Sequence, residues 1–121
     1  MAISEQRLQP CPSSPNCVCS DATDSHVIEP IAITGDAQTM WQRLQDYLAR
    51  QRGFTIMQVE DNYLRVAAKT RLLGFVDDLE FELRADVGVI AVRSASRVGY
   101  SDLGANRRRI EKIRKGLRET D

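Results

Sequence analysis

Phe75-Val-Asp-Asp-Leu-Glu-Phe-Glu-Leu-Arg84, a turn at Asp86-Val87-Gly88, and Val89-Ile-Ala-Val-Arg-Ser-Ala-Ser96 decide the fold of this chain. Each run alternates apolar and polar residues, the signature of a strand with one buried face. After Ser96 the chain enters a polar loop that opens a basic helix. The alternation carries one anomaly. Asp77 is in phase with Leu79, Phe81 and Leu83, so an acid sits on the face that is otherwise apolar.

Working outward, Tyr63 to Thr70 alternates with Leu64, Val66 and Ala68 on one face, and Phe54 to Glu60 precedes it across an Asp61-Asn62 turn. Leu72-Leu73-Gly74 is a connection. Ala37, Met40, Trp41, Leu44, Tyr47 and Leu48 recur at helical spacing, with Asp36 as N-cap and Gly53 as the stop. Leu103, Ile110, Ile113 and Leu117 give a second helix its apolar stripe, capped by Ser101 or Asp102, with Glu111 and Lys115 as an i,i+4 pair. Val27 to Ile33 reads as an edge strand, held to an edge by Pro30. Residues 1–24, with Pro10, Pro12 and Pro15, have no apolar period and read as an irregular segment with a frayed start.

The expected architecture is a single α+β domain over residues 25–121, in the order β-α-β-β-β-β-α. An antiparallel sheet of four to five strands carries both helices on one face.

Opposing apolar faces sets the register: Leu64 to Phe81, Val66 to Leu79, Phe81 to Val92, Leu83 to Ile90. The outer face then aligns Arg65, Glu80 and Arg93, which we expect to be an exposed ladder contributing a few tenths of a kcal/mol per pair. Glu82 and Arg84 read as equally ordinary surface residues. On the inner face Asp77 falls opposite Ser96 and Ala68, with Ser94 one step along. A buried carboxylate without donors costs several kcal/mol. The Ser94–Asp102 segment and Arg107 are the nearest sources of them. The expected polar site is therefore Asp77, Ser94, Ser96, Arg97, Tyr100, Asp102 and Arg107. It reads either as a pocket mouth or as a cluster that pins the last helix to the sheet.

At 121 residues and 42% hydrophobic content the chain suits one soluble domain. Seventeen basic and seventeen acidic residues balance, which argues against a nucleic-acid role for the whole protein. The basic helix lacks aromatic interleaving, so nucleic acid is not an expected partner. No apolar run approaches the roughly 20 residues of a membrane span. The N-terminus has no signal-like apolar core, so the reading is cytoplasmic.

The three cysteines, Cys11, Cys17 and Cys19, leave three readings open. These are a zinc site with His26, a Cys11–Cys17 disulfide, or free thiols. The single residue between Cys17 and Cys19 speaks against zinc, and neither metal nor cofactor is expected. His26 is the only histidine, so any Ser–His or Cys–His pair must use it. Asp77 and Asp78 point to opposite faces and form no carboxylate dyad.

Three blocks together resemble the domain of unknown function family 1499. They are Cys11-Pro-Ser-Ser-Pro-Asn-Cys17-Val, Phe75-Val-Asp-Asp-Leu-Glu-Phe, and Arg93-Ser-Ala-Ser-Arg-Val-Gly-Tyr-Ser-Asp-Leu-Gly-Ala-Asn-Arg-Arg-Arg109. The resemblance spans nearly the whole chain and implies no known activity. Members often carry membrane or export segments, and none is legible here. Cys19 departs from the small polar residue expected at that place. The element order also resembles TATA-binding-protein-like folds, which include helix-grip ligand binders.

The functional expectation is a non-enzymatic binding or accessory domain for a small ligand or a partner segment. The alternative is an enzyme with Asp77 as acid or base and Arg97 or Arg107 as electrostatic stabiliser.

Overall fold

Strand β5 (Val76–Arg84) and strand β6 (Val89–Ser96) pair as the central antiparallel hairpin in the computed structural model, which describes residues 7–70 and 74–119. A short 3₁₀ turn, Ala85–Val87, joins them, and Gly88 closes it at a left-handed φ of 71°. That φ is open to glycine without steric cost. Phe81 faces Val92 and Leu83 faces Ile90, as the alternation requires. Strand β4 (Tyr63–Lys69) adds to β5 with Leu64 opposite Phe81 and Val66 opposite Leu79. Strand β3 (Phe54–Val59) completes that edge.

The other edge differs from expectation. Strand β1 (Cys17–Cys19) lies within the segment read as irregular, and it pairs with β6 from Arg93 to Ala95. Strand β2 is only Ile31–Ala32 and pairs with β6 at Ile90 and Val89. Two short strands thus share one edge of β6, and Val27 makes only a single bridge, to Cys19. Pro30 leaves no N–H for a ladder, which ends the pairing there. The result is an open, six-stranded antiparallel sheet with both helices on one side.

Helix α1 (Ala37–Arg50) starts where the Asp36 carboxylate accepts the Thr39 N–H at 2.8 Å. It buries Met40, Trp41, Leu44, Tyr47 and Leu48. Helix α2 (Ala105–Glu119) buries Ile110, Ile113 and Leu117 beside them. Full burial of each such side chain contributes about 1.5–3 kcal/mol. Gly116 of α2 packs against α1, where a Cβ would collide with the Tyr47 ring.

Two details of the second helix and its surroundings correct the sequence reading. Leu103 is not on the apolar stripe: it precedes the helix at φ 53° and is 84% exposed. Glu111 pairs with Arg114 at 2.9 Å rather than with Lys115. The Leu72-Leu73 connection and the very start of the chain, where fraying is expected, lie outside the described residues.

The largest correction concerns the outer face. Arg65, Glu80 and Arg93 do align across three strands. They are not an exposed ladder, because residues 7–11 lie across them. Glu80 is 3% exposed and Glu82 fully buried. Glu80 accepts the Tyr63 hydroxyl at 2.7 Å, Arg93 Nη1 at 3.3 Å and the Gln9 N–H at 3.4 Å. Arg93 also donates to the Pro10 carbonyl at 3.1 Å. Arg84 clamps Asp21 with two bonds of 2.7 Å and reaches Glu82 at 2.8 Å. Arg7 stacks 4.1 Å over the Tyr63 ring and pairs with Glu60.

A Cys11–Cys17 disulfide ties this strap to β1, which decides among the three cysteine readings. Burial, then the bond to Glu80, pushes the Tyr63 hydroxyl well above its ordinary pKa. Burial likewise raises the free thiol of Cys19.

Glu80 therefore carries more than a surface pair would. Glu80→Ala strands the Tyr63 hydroxyl and the Arg93 guanidinium and is expected to cost about 3 kcal/mol in urea unfolding. A loss below about 1 kcal/mol would mean that the strap leaves this face in water.

Candidate functional site

Asp77 lies where its phase demands, 4% exposed, facing Ser96 on β6 and Ala68 on β4. Its carboxylate is held by Arg109 Nη2 at 2.7 Å. Arg109 also donates from Nη1 to the Asn106 side-chain oxygen at 2.9 Å. Asn106 is fully buried and is the hub of the cluster. Its oxygen accepts the Ser94 hydroxyl at 2.5 Å. Its amide nitrogen donates to the Asp102 carboxylate at 2.7 Å, the Ser96 hydroxyl at 3.0 Å and the Asn16 carbonyl at 3.1 Å. One side chain thus joins α2, β6, the residue before β1 and the loop that opens the helix.

Asp102 caps α2 by accepting the Gly104 N–H at 2.8 Å and the Asn106 N–H at 3.1 Å. Wrapping the chain around this carboxylate turns Leu103 outward. Burial pushes the Asp102 carboxyl upward in pKa. The bonds from the Asn106 side chain and backbone and from the Gly104 N–H outweigh it, so the group is held below the usual range.

The structure gathers Asp77, Ser94, Ser96 and Asp102 from the expected set, and it places the others elsewhere. Arg97 turns to the opposite face and clamps Asp78 with two bonds of 2.8 Å. Tyr100 is 73% exposed on the loop. Arg107 donates to the Ser25 carbonyl at 3.2 Å and not to Asp77. Three neighbouring arginines fan around a helix at about 100° steps. With Leu103 expelled from the stripe, Arg109 and not Arg107 faces the sheet. Asn106 went unread because an asparagine in a helix start looks like ordinary polar surface.

The loop backbone is tied to this buried cluster. Asn16 Nδ2 donates to the Gly99 carbonyl at 2.7 Å, the Asp102 N–H to the Pro15 carbonyl at 3.4 Å, and Arg108 to the Leu103 carbonyl at 2.8 Å. The side chains of Val98, Tyr100 and Leu103 face solvent, at 58, 73 and 84% exposure.

Beside the loop is a polar cleft of about 280 Å³ lined by Ser13, Pro15, His26, Ser101, Asp102 and Arg107. His26 has an acceptor at each ring nitrogen: Asp24 Oδ1 at 2.8 Å on Nδ1 and the Ser14 carbonyl at 3.0 Å on Nε2. Only the imidazolium donates to both. The bond to Asp24, then that to Ser14, raises its pKa above the ordinary value. In that form the ring has no lone pair to act as a base.

Among the described residues no group of three or more His, Cys, Asp and Glu side chains is placed to hold a metal. Within the Asp77 cluster every buried polar side-chain atom is matched. The two orphans among the described residues, Glu82 Oε2 and Arg93 Nε, lie on the outer face.

The family model described as "Protein of unknown function (DUF1499)" matches residues 7–117. No curated protein matches the chain.

Two outcomes follow from these contacts. Asp77→Ala abandons Arg109 in a buried site and is expected to cost about 3 kcal/mol. Asp78→Ala breaks only the exposed pair with Arg97 and should cost under about 1 kcal/mol. Equal urea midpoints for the two variants would contradict the assignment of faces.

For His26 the folded pKa lies above the unfolded one. Its contribution is thus fully present below the ordinary histidine value and is lost as pH rises through the raised folded value. Asp24→Asn should flatten that dependence and lower the His26 pKa in an NMR titration. An unchanged titration curve in Asp24→Asn would refute the latch.

Proposed function

Given that the chain belongs to the DUF1499 family, which assigns it no activity, we propose that it is a non-enzymatic binding domain. In this reading it docks a protein segment through the loop of residues 97–104. The observation that carries the reading is Val98, Tyr100 and Leu103 held in water on a loop whose Gly99 and Leu103 carbonyls accept from Asn16 and Arg108 and whose Asp102 carboxylate bonds the fully buried Asn106. Large apolar side chains clustered at the surface mark contact sites. Burying one fully against a partner contributes about 1.5–3 kcal/mol. A loop already fixed by Asn16, Pro15 and Arg108 loses little further entropy on docking. Phe75, 49% exposed, stands close to the start of the loop, where the Arg97 N–H bonds the Val76 carbonyl.

The enzymatic alternative has less support. The Asp77 carboxylate is occupied by Arg109, Arg97 serves Asp78, and Arg107 serves Ser25. A small ligand in the 280 Å³ cleft is the lesser binding reading, since small-molecule sites run from about 300 to 1,000 Å³. The Cys11–Cys17 bond favours an oxidising compartment over the cytosol.

Site-specific photo-cross-linking tests the docking surface. Benzoylphenylalanine at position 100, introduced in the protein's own host, should yield a discrete protein adduct that Leu103→Ser weakens. The same probe at Val87, 65% exposed at the β5–β6 turn, should not. Identical adduct patterns from both positions would sink the proposal.

A further inference from the structure

The loop of residues 97–104 rests on a short segment that a disulfide closes. Cys11 and Cys17 are six positions apart, and residues between them hold the loop. Asn16 Nδ2 donates to the Gly99 carbonyl at 2.7 Å, and the Pro15 carbonyl accepts the Asp102 N–H at 3.4 Å. The Ser14 carbonyl receives His26 Nε2 at 3.0 Å. A ring this small leaves residues 12–16 few conformations, so the bond limits how far these contacts can part.

The two sulfurs of the bond are unequally placed. Cys11 is half-buried and lines an open cleft of about 360 Å³, with Gln9, Asp21 and Thr23 in its wall. Cys17, in β1, borders the polar cleft beside His26 but is only 4% exposed. Cys19 shares the wall of the larger cleft at 2% exposure. Burial raises its thiol above the ordinary pKa, so it supplies little thiolate to compete for Cys11.

We propose that Cys11 is a thiol-exchange site through which a small thiol of the surroundings sets the hold on the 97–104 loop. The proposal rests on the reading of that loop as a docking surface and names its regulation. A thiolate entering the cleft attacks Cys11 Sγ. The Cys11–Cys17 bond breaks, a mixed disulfide forms at Cys11, and the electron pair leaves on Cys17 Sγ, which takes up a proton. A second thiolate attacks the sulfur of the bound small thiol. Cys11 leaves as a thiolate and is protonated, and the two small thiols depart as one disulfide. With the ring open, residues 12–16 regain freedom, and Gly99 and Asp102 lose a fixed support. Val98, Tyr100 and Leu103 are then held less firmly, and docking weakens because more of the loop must be ordered on contact.

The test uses the whole chain. Brief exposure to glutathione, with iodoacetamide as trap, should leave glutathione on Cys11 and the alkyl group on Cys17 in peptide mass spectra. Hydrogen–deuterium exchange of the 97–104 amides should quicken about tenfold in dithiothreitol, while the α1 amides keep their protection. Cys11→Ser should show the same loosening with no thiol added, and it should weaken the adduct formed by benzoylphenylalanine at position 100. Loosened amides with no adduct from either protein would refute the docking surface and leave the redox hold standing. Glutathione on Cys17, a bond that resists both thiols in the folded protein, 97–104 amides unmoved by reduction, or α1 loosening to the same degree would overturn the proposal.

Discussion

Asn106 is the constraint on which the inner side of this domain depends. A buried carboxamide must find partners for both its ends, since water is excluded. Here the amide nitrogen reaches three acceptors and the oxygen takes two donors, Ser94 and Arg109. Those partners belong to β6, α2, the residue before β1 and the capping loop. Rotating α2 by one residue would break all of these contacts together. The apolar stripe of Ile110, Ile113 and Leu117 specifies that the helix packs on the sheet, but apolar contact is tolerant of small slides. The hydrogen-bond geometry removes that tolerance. Asp77 belongs to the same arrangement, because its guanidinium partner is itself oriented by Asn106.

The two faces of the sheet handle charge in opposite ways. The inner face is apolar along most of its length and confines polarity to one end. The outer face carries its charge chiefly along β5 and is covered by a strap at Glu80 and Glu82, while the Asp78–Arg97 pair stays in water. Burying ions is costly, and their mutual attraction offsets that cost only with good geometry. The outer face meets the condition for Glu80, with three donors, and for Arg84, with two carboxylates. It meets it less completely for Glu82 Oε2 and Arg93 Nε. The apolar core, with nineteen buried members among the described residues, is the larger source of stability. The outer network instead fixes where residues 7–11 lie.

What was legible followed from periodicity. The β4–β5–β6 register is the one the alternation requires at Leu64–Phe81, Val66–Leu79, Phe81–Val92 and Asp77–Ser96, because one slip would invert every face. Helix α1 was equally clear from its stripe and its Asp36 cap. The illegible parts rest on long-range polar contacts. Strand β1 is three residues long and too short to show alternation. Apart from the Arg7 side chain and the Cys11–Cys17 bond, the strap binds through backbone groups, the Arg7 and Gln9 N–H and the Pro10 carbonyl, so its sequence gives little sign of where it docks. Arg109 was missed because its identity as the partner depends on where α2 begins, and that depends on the turn around Asp102.

The Asn16–Asn106 bond joins residues 90 positions apart, and Arg7 meets Glu82 across 75. Such pairings cost loop-closure entropy before they return any stabilisation, and high contact order slows folding. During synthesis from the N-terminus, the strap and β1 leave the ribosome long before β5, β6 and α2. Until then residues 7–20 have neither their edge of β6 nor the Asn106 amide that donates to the Asn16 carbonyl. The strap and β1 therefore complete their contacts only after β6 and α2 have been made.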